Sequence, residues 1–196
     1  MKQNKDYSNR IITIPNILSF FRLCLIPLIV WLYCFAEFEQ KNLGSLLTVL
    51  VYAFSGFTDI VDGIIARKYN MISTFGKVFD PVADKLTQIA VIICLITKFP
   101  YMFIPLIIFV IKEVGMNVVG LVAAKKTGVI KGANWHGKLN TIVFFVLMVI
   151  HLAWSTIPAG VSYTFVGISV CMMLVSATLY TMDYVAMLNE AKNKNK

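Results

Sequence analysis

Charge is what this sequence has least of. Only 14% of its 196 residues are charged, against 58% hydrophobic. That balance excludes an ordinary soluble domain, where roughly a quarter of residues are charged, and points to an integral membrane protein. Cysteine is also sparse. Cys24, Cys34, Cys94 and Cys171 lie far apart in apolar runs with no CxxC pairing, which excludes a zinc finger or disulfide framework and reads as small buried hydrophobes. The apolar run after Pro15 is as long as a full span and no small-x-small site follows it, unlike a cleaved signal peptide. A soluble second domain, a low-complexity tract and an internal repeat are all missing. The net charge of +8 comes without basic stretches interleaved with aromatics in polar sequence. It therefore suits a membrane surface and not nucleic acid.

What the chain does have is a series of six apolar segments, each near the roughly 20 residues needed to cross a bilayer. They cover 14–36, 43–67, 76–97, 100–125, 137–154 and 161–188. The fold expected is all-α: an integral membrane bundle of six transmembrane helices, spanning 14–188. A short amphipathic arm, 1–13, lies on the inner leaflet before it, and a basic cytoplasmic tail, 189–196, follows. Lys and Arg fix the orientation. Thirteen of the 18 basic residues fall in the arm, the second and fourth connections and the tail, whereas the opposite side offers only Lys41 and Lys98. Both termini should thus be cytoplasmic, in the cell (inner) membrane. Arg22, Lys85 and Lys112 fall inside spans, where each should face the bundle interior near a carboxylate or an anionic ligand.

The few acids are concentrated. Residues 59–84 read D-I-V-D-G-I-I-A-R-K-Y-N-M-I-S-T-F-G-K-V-F-D-P-V-A-D. Asp59 and Asp62 share a helix face at i, i+3, and Asp80 and Asp84 do so at i, i+4. Gly, Pro and polar residues between the pairs predict a turn, so the two pairs can face each other across a helical hairpin. Four clustered carboxylates would repel one another in a poorly hydrated site. A hard divalent cation resolves that conflict, and oxygen-only ligands suit Mg²⁺ or Mn²⁺ better than zinc. Gly63 and Ala66 keep one strip of the second helix shallow, which suits a flat nucleotide or, equally, helix–helix packing. Arg67 offers a planar, permanently charged fork to a phosphate. Gly76 permits a similar close approach or simply ends the loop.

These positions resemble the signature of the CDP-alcohol phosphatidyltransferases, D-x-x-D-G-x-x-A-R, eight residues, then G-x-x-x-D-x-x-x-D. Asp59, Asp62, Gly63, Ala66, Arg67, Gly76, Asp80 and Asp84 match every defined position. Pro15-Asn16-Ile17-Leu18-Ser19 and Arg22 are similar to the family's opening helix. The resemblance implies transfer of a phosphatidyl group from CDP-diacylglycerol to an alcohol, with release of CMP. It implies that Asp59, Asp62, Asp80 and Asp84 hold metal, two ions in all, and that Asp84 takes the proton from the acceptor hydroxyl. Asp59, Gly63, Ala66, Arg67 and Gly76 would bind the nucleotide, and the protein would be a homodimer.

The acceptor end is less fully matched. Residues 135–141 read W-H-G-K-L-N-T. The family's branch that uses glycerol 3-phosphate carries Gly-Lys-x-Lys-Thr there and an Arg-Glu pair in the fourth span. Lys138 and Thr141 match, whereas Asn140 replaces the second Lys and Lys112-Glu113 replaces Arg-Glu. Arg22, Lys112, Lys131 and Lys138 are the candidate cations for a phosphorylated acceptor. Glycerol 3-phosphate, giving phosphatidylglycerophosphate, is the first expectation. The Lys-x-Asn-Thr order is similar to cardiolipin synthases, with phosphatidylglycerol as acceptor. More remote alternatives are an intramembrane prenyltransferase, which also uses aspartate-rich motifs, and a non-enzymatic ion transporter. His136 reads as a loop residue, His151 as lying near the outer end, and Asp183 as a cap for local positive charge.

Overall fold

The computed structural model describes residues 13–38, 41–69, 73, 75–127 and 134–194, and the expected amphipathic arm falls almost wholly outside them. The described residues form helices α1 (Ile14–Phe38), α2 (Lys41–Lys68), α3 (Gly76–Lys98), α4 (Phe103–Thr127), α5 (Trp135–Ala153) and α6 (Ala159–Lys194). A short 3₁₀ turn, Pro100–Met102, leads into α4. The helix boundaries lie within a few residues of those read from the sequence, except at the end. There α6 continues as helix through most of the stretch expected to be a tail.

Among the described residues, five stretches are long and apolar enough to cross a membrane: Ile14–Cys34, Gly44–Ala66, Pro100–Thr127, Trp135–Ala153 and Ala159–Asn189. α3 is not among them, because Lys77, Asp80, Asp84 and Lys85 crowd its first ten residues. The chain is a multi-pass membrane protein. Large apolar side chains such as Phe20, Trp31, Phe57, Ile111 and Leu121 stand on the outside of their helices, where lipid and not water is the natural neighbour. Three of the cysteines, Cys24, Cys34 and Cys171, lie on such outward faces, and only Cys94 is buried. The expectation of four buried cysteines therefore needs correcting: in a lipid-facing bundle, an apolar residue has no need to point inward.

The chain divides into two compact units. The first takes in α1, α2 and α3 together with Leu152–Ser155. Here α1 packs along both α2 and α3. Its buried face is Asn16, Ser19, Arg22, Leu25, Ile29 and Leu32, recurring every three or four residues as one side of a helix must. That face is polar for its first two turns and apolar beyond. Thr13 starts the helix, its Oγ1 accepting from the Asn16 N–H at 3.4 Å, as an N-cap residue does. Pro15 sits in the first turn, where its missing N–H costs nothing.

The second unit holds the 3₁₀ turn, α4, most of α5 and α6. α4 packs along α6, and the rings of Phe109 and Phe144 stack 4.7 Å apart between α4 and α5. Tyr180 and Tyr184, one turn apart on α6, rest on glycines. A Cβ at Gly137 would run into the Tyr180 ring, and one at Gly120 would come within 2.9 Å of the Tyr184 hydroxyl.

Many hydroxyls in both units bond within their own helix. Thr48, Thr87, Thr127, Thr164 and Thr181 each donate to the carbonyl four residues back, at 2.8–2.9 Å. Where water is absent, such bonds keep a polar side chain satisfied without a neighbour.

Candidate functional site

The four aspartates come from the last turns of α2 and the first turns of α3, and α1 ties three of them, Asp59, Asp62 and Asp80, together. Arg22 is 1% exposed. Its Nη1 lies 2.7 Å from Asp59 Oδ1 and its Nη2 donates to Asp62 Oδ2 at 2.8 Å. One guanidinium thus bridges two carboxylates that share a helix face, and its planar fork makes it better suited to this than a lysine. One turn earlier, Ser19 donates to Asp80 Oδ1 at 2.6 Å. Asp62 also lies close enough to Asp59 and Asp80 for their charges to interact.

The pair on α2 is asymmetric. The Asp62 side chain is almost wholly buried, whereas that of Asp59 is 44% exposed. The open edge of the cluster is therefore on the Asp59 side. On α3, Asp84 accepts from Gln88 Nε2 through both oxygens, at 3.2 and 3.1 Å, and Lys85 Nζ lies 3.8 Å from it. Among the described residues of this unit, three buried side-chain atoms have no hydrogen-bond partner: Arg22 Nε, Arg22 Nη1, whose contact with Asp59 is an ion pair without hydrogen-bond geometry, and Gln88 Oε1. Among the described side chains, Arg22 and Lys85 offset two of the four carboxylate charges.

The fit to a divalent cation rests on that donor set. The available atoms are carboxylate and hydroxyl oxygens, which suit a hard ion. Among the described residues, however, no three Asp, Glu, His or Cys side chains stand together as a ready cage. Arg22 stands between two of the carboxylates. Asp59, Asp62, Asp80 and Asp84 have the right chemistry to hold an ion, and the guanidinium between the first two is what such an ion meets.

Gly76 has a packing role that the sequence left open. It starts α3 against α1, where a Cβ would run into the Asn16 amide oxygen and come within 3.0 Å of Ser73 Oγ. Ser73 caps the helix, accepting from the Gly76 N–H at 2.9 Å, and exchanges hydrogen bonds with the Asn16 side chain at 3.0 and 3.3 Å. Gly63 and Ala66 lie half-buried on α2. The Arg67 side chain and all of Lys131 fall outside the described residues.

The remaining acceptor candidates belong to the second unit. Lys112 is buried and pairs with its neighbour Glu113 at 2.7 Å. Lys138 is exposed on the first turn of α5. His136 is not a loop residue: α5 begins at Trp135, two positions before the expected start, and the helix buries the imidazole. Its ring meets Tyr180 edge-on at 4.4 Å and its Nε2 lies 3.7 Å from Asp183. Asp183 also accepts from the Asn134 side chain. One turn on, Asn140 is buried with neither end of its amide bonded. The sequence marked Asn140 only as a departure from a motif.

Asn16, Ser19, Ser73 and Gln88 were missed as supports of the site. Asn16 and Ser19 stood out only through the opening-helix resemblance, Gln88 only as a polar residue in an apolar helix, which is expensive unless it finds a partner, and Ser73 only as a polar residue of the connection.

Comparison with known proteins bears on the family. The family described as CDP-alcohol phosphatidyltransferase matches residues 12–183. A Rickettsia typhi protein named CDP-diacylglycerol–glycerol-3-phosphate 3-phosphatidyltransferase is 41% identical over 100 residues, 51% of this chain and 54% of the relative. An Arabidopsis thaliana protein named CDP-diacylglycerol–glycerol-3-phosphate 3-phosphatidyltransferase 2 is 30% identical over 189 residues, covering 86% of this chain and 79% of its own. A Streptomyces coelicolor protein named cardiolipin synthase (CMP-forming) is 41% identical over 86 residues, 44% of this chain and 40% of the relative. The chain spans about half the length of the Rickettsia relatives it matches. With the signature complete, three of its four aspartates joined through one polar helix face and the family pattern running from α1 into α6, the chain belongs to the CDP-alcohol phosphatidyltransferase family.

Proposed function

We propose that the protein transfers the phosphatidyl group of CDP-diacylglycerol to glycerol 3-phosphate, giving phosphatidylglycerophosphate and CMP. The observation that carries this reading is the aspartate cluster gathered by Arg22 and Ser19, in a chain whose relatives bear names for that reaction. The acceptor hydroxyl oxygen attacks the β-phosphorus, and a new P–O bond forms. The bond from that phosphorus to the bridging oxygen breaks, and CMP leaves with the oxygen and its electron pair. Asp84, held through both oxygens by Gln88, takes the hydroxyl proton. Bound Mg²⁺ or Mn²⁺, two ions held by Asp59, Asp62, Asp80 and Asp84, would offset the charge of the diphosphate.

In this reading Asp59, Gly63, Ala66, Arg67 and Gly76 border the nucleotide, while Arg22, Lys112, Lys131 and Lys138 serve the acceptor. The unpartnered Arg22 Nε is a donor that an anionic oxygen would satisfy. α3 forms a sixth span: its 23 residues reach about 35 Å, longer than a bilayer core of roughly 30 Å. The loop charges put both termini and the aspartates on the cytoplasmic side of the cell (inner) membrane. The working unit is a homodimer, by analogy with the family.

Cardiolipin synthesis, with phosphatidylglycerol as acceptor, is the second reading. It is favoured by Asn140 in place of a lysine and by the Streptomyces relative. Purified protein given CDP-diacylglycerol and each acceptor in turn separates the two. CMP and phosphatidylglycerophosphate should form with glycerol 3-phosphate, stop on addition of EDTA and return with excess Mg²⁺. Product with phosphatidylglycerol alone would overturn the first choice, and turnover indifferent to chelation would overturn the metal assignment.

A further inference from the structure

We propose that Arg22 is a built-in counter-cation of the Asp59–Asp62 pair, holding both carboxylates in place before a divalent ion arrives and weakening the ion's binding once it does. The inference rests on the reading of the aspartates as metal ligands. It assigns Arg22 a role towards the ion, distinct from binding the acceptor.

Three observations converge on it. The guanidinium reaches one oxygen of each carboxylate, at 2.7 and 2.8 Å, from a third helix. It is more deeply buried than either partner, so its contact with the buried Asp62 is little screened, whereas that with the half-exposed Asp59 is open to solvent. Asp62 lies beside the further negative charges of Asp59 and Asp80. Without a cation such carboxylates would push one another apart.

A positive charge that stabilises the empty cluster necessarily opposes a second positive charge entering it. At separations of a few ångströms in a partly buried site, that opposition changes affinity by an order of magnitude or more. The cost is borne on purpose-built geometry: Arg22 keeps two oxygens oriented, so the ion meets a formed site instead of a collapsed one. The guanidinium is thus a positioning group that sets how much free divalent ion is needed to load the protein.

The test is Mn²⁺ binding to the full chain in bicelles, read from loss of the free-ion EPR signal, alongside thermal unfolding with and without Mn²⁺. Arg22→Met removes the charge and Arg22→Lys keeps it without the two-armed bridge. Arg22→Met should bind Mn²⁺ at least tenfold more tightly than the unaltered protein, about 1.4 kcal/mol. It should also unfold at a lower temperature in EDTA and gain more from saturating Mn²⁺. Arg22→Lys should bind within about threefold of the unaltered protein. If Arg22→Met does not survive purification in EDTA, it is prepared with Mn²⁺ and its affinity read by chelator competition. Equal or weaker Mn²⁺ binding by Arg22→Met, with normal binding by the unaltered chain, overturns the role of Arg22 alone. Absence of Mn²⁺ binding by the unaltered chain overturns the metal site and this inference together.

Discussion

Replacing Gly76 by alanine separates two roles that the sequence could not. If the glycine is there for helix packing, the added methyl collides with the Asn16 amide oxygen and presses on Ser73 Oγ at 3.0 Å. Overpacking of this kind costs roughly 1–3 kcal/mol. Moving Asn16 aside also loosens its bonds to Ser73, and a net hydrogen bond is worth about 1 kcal/mol. The gain from replacing glycine in a helix, at most about 1 kcal/mol, is smaller still at a first helical residue. Gly76→Ala should therefore destabilise by about 2 kcal/mol, read as unfolding free energy in bicelles. Asn16→Ala removes the obstacle, so the double variant should be no less stable than Asn16→Ala alone. That non-additivity is the signature of two groups in contact. Gly76→Ala with unchanged stability but a raised KM for CDP-diacylglycerol would refute the packing account and favour a nucleotide cradle.

Asp84→Asn should lower turnover about a hundredfold or more, as loss of a general base does, while Mn²⁺ still binds; near-normal turnover would remove Asp84 from the proton step. Ser162 sits between two partners, 2.7 Å from His151 Nε2 and 2.6 Å from the Tyr101 hydroxyl. Ser162→Ala strands both and should cost about 2–4 kcal/mol, whereas Tyr101→Phe leaves the His151 bond and should cost about 1 kcal/mol; the reverse order in thermal unfolding would contradict the geometry. Gly137→Ala meets the Tyr180 ring and should destabilise by about 1–3 kcal/mol. Gly167 has open space around it, so Gly167→Ala should leave stability unchanged or raise it by up to about 1 kcal/mol. Equal losses at the two glycines would show that backbone effects and not contacts govern.

The helices were legible because apolar length is a one-dimensional property, and the aspartates because their spacing is local. What escaped was whatever depended on partners far along the chain. Arg22 was visible as an anomaly inside an apolar run, yet its two carboxylates lie 37 and 40 residues away and nothing local points to them. Ser19 and Asn16 had the same problem, with partners 61 and 57 residues distant. The hairpin of α2 and α3 was expected to let the two aspartate pairs face each other; α1 supplies side chains that join three of the four. At the other end, Lys192 and Lys194 marked a tail by their charge. Charge bars a segment from lipid without barring it from helix, and α6 runs on. His136 was misplaced by a two-residue error in a helix start, enough to turn a buried ring into a loop residue.

The threonines that bond to their own helices leave the bundle free of one kind of bookkeeping. Their polarity is settled before any two helices meet, so it carries no message about which neighbours to choose. Counting hydroxyls along this chain would overstate how much of its assembly is specified by hydrogen bonding. In the first unit, the polar side chains that join one helix to another stand mostly on one side of α1.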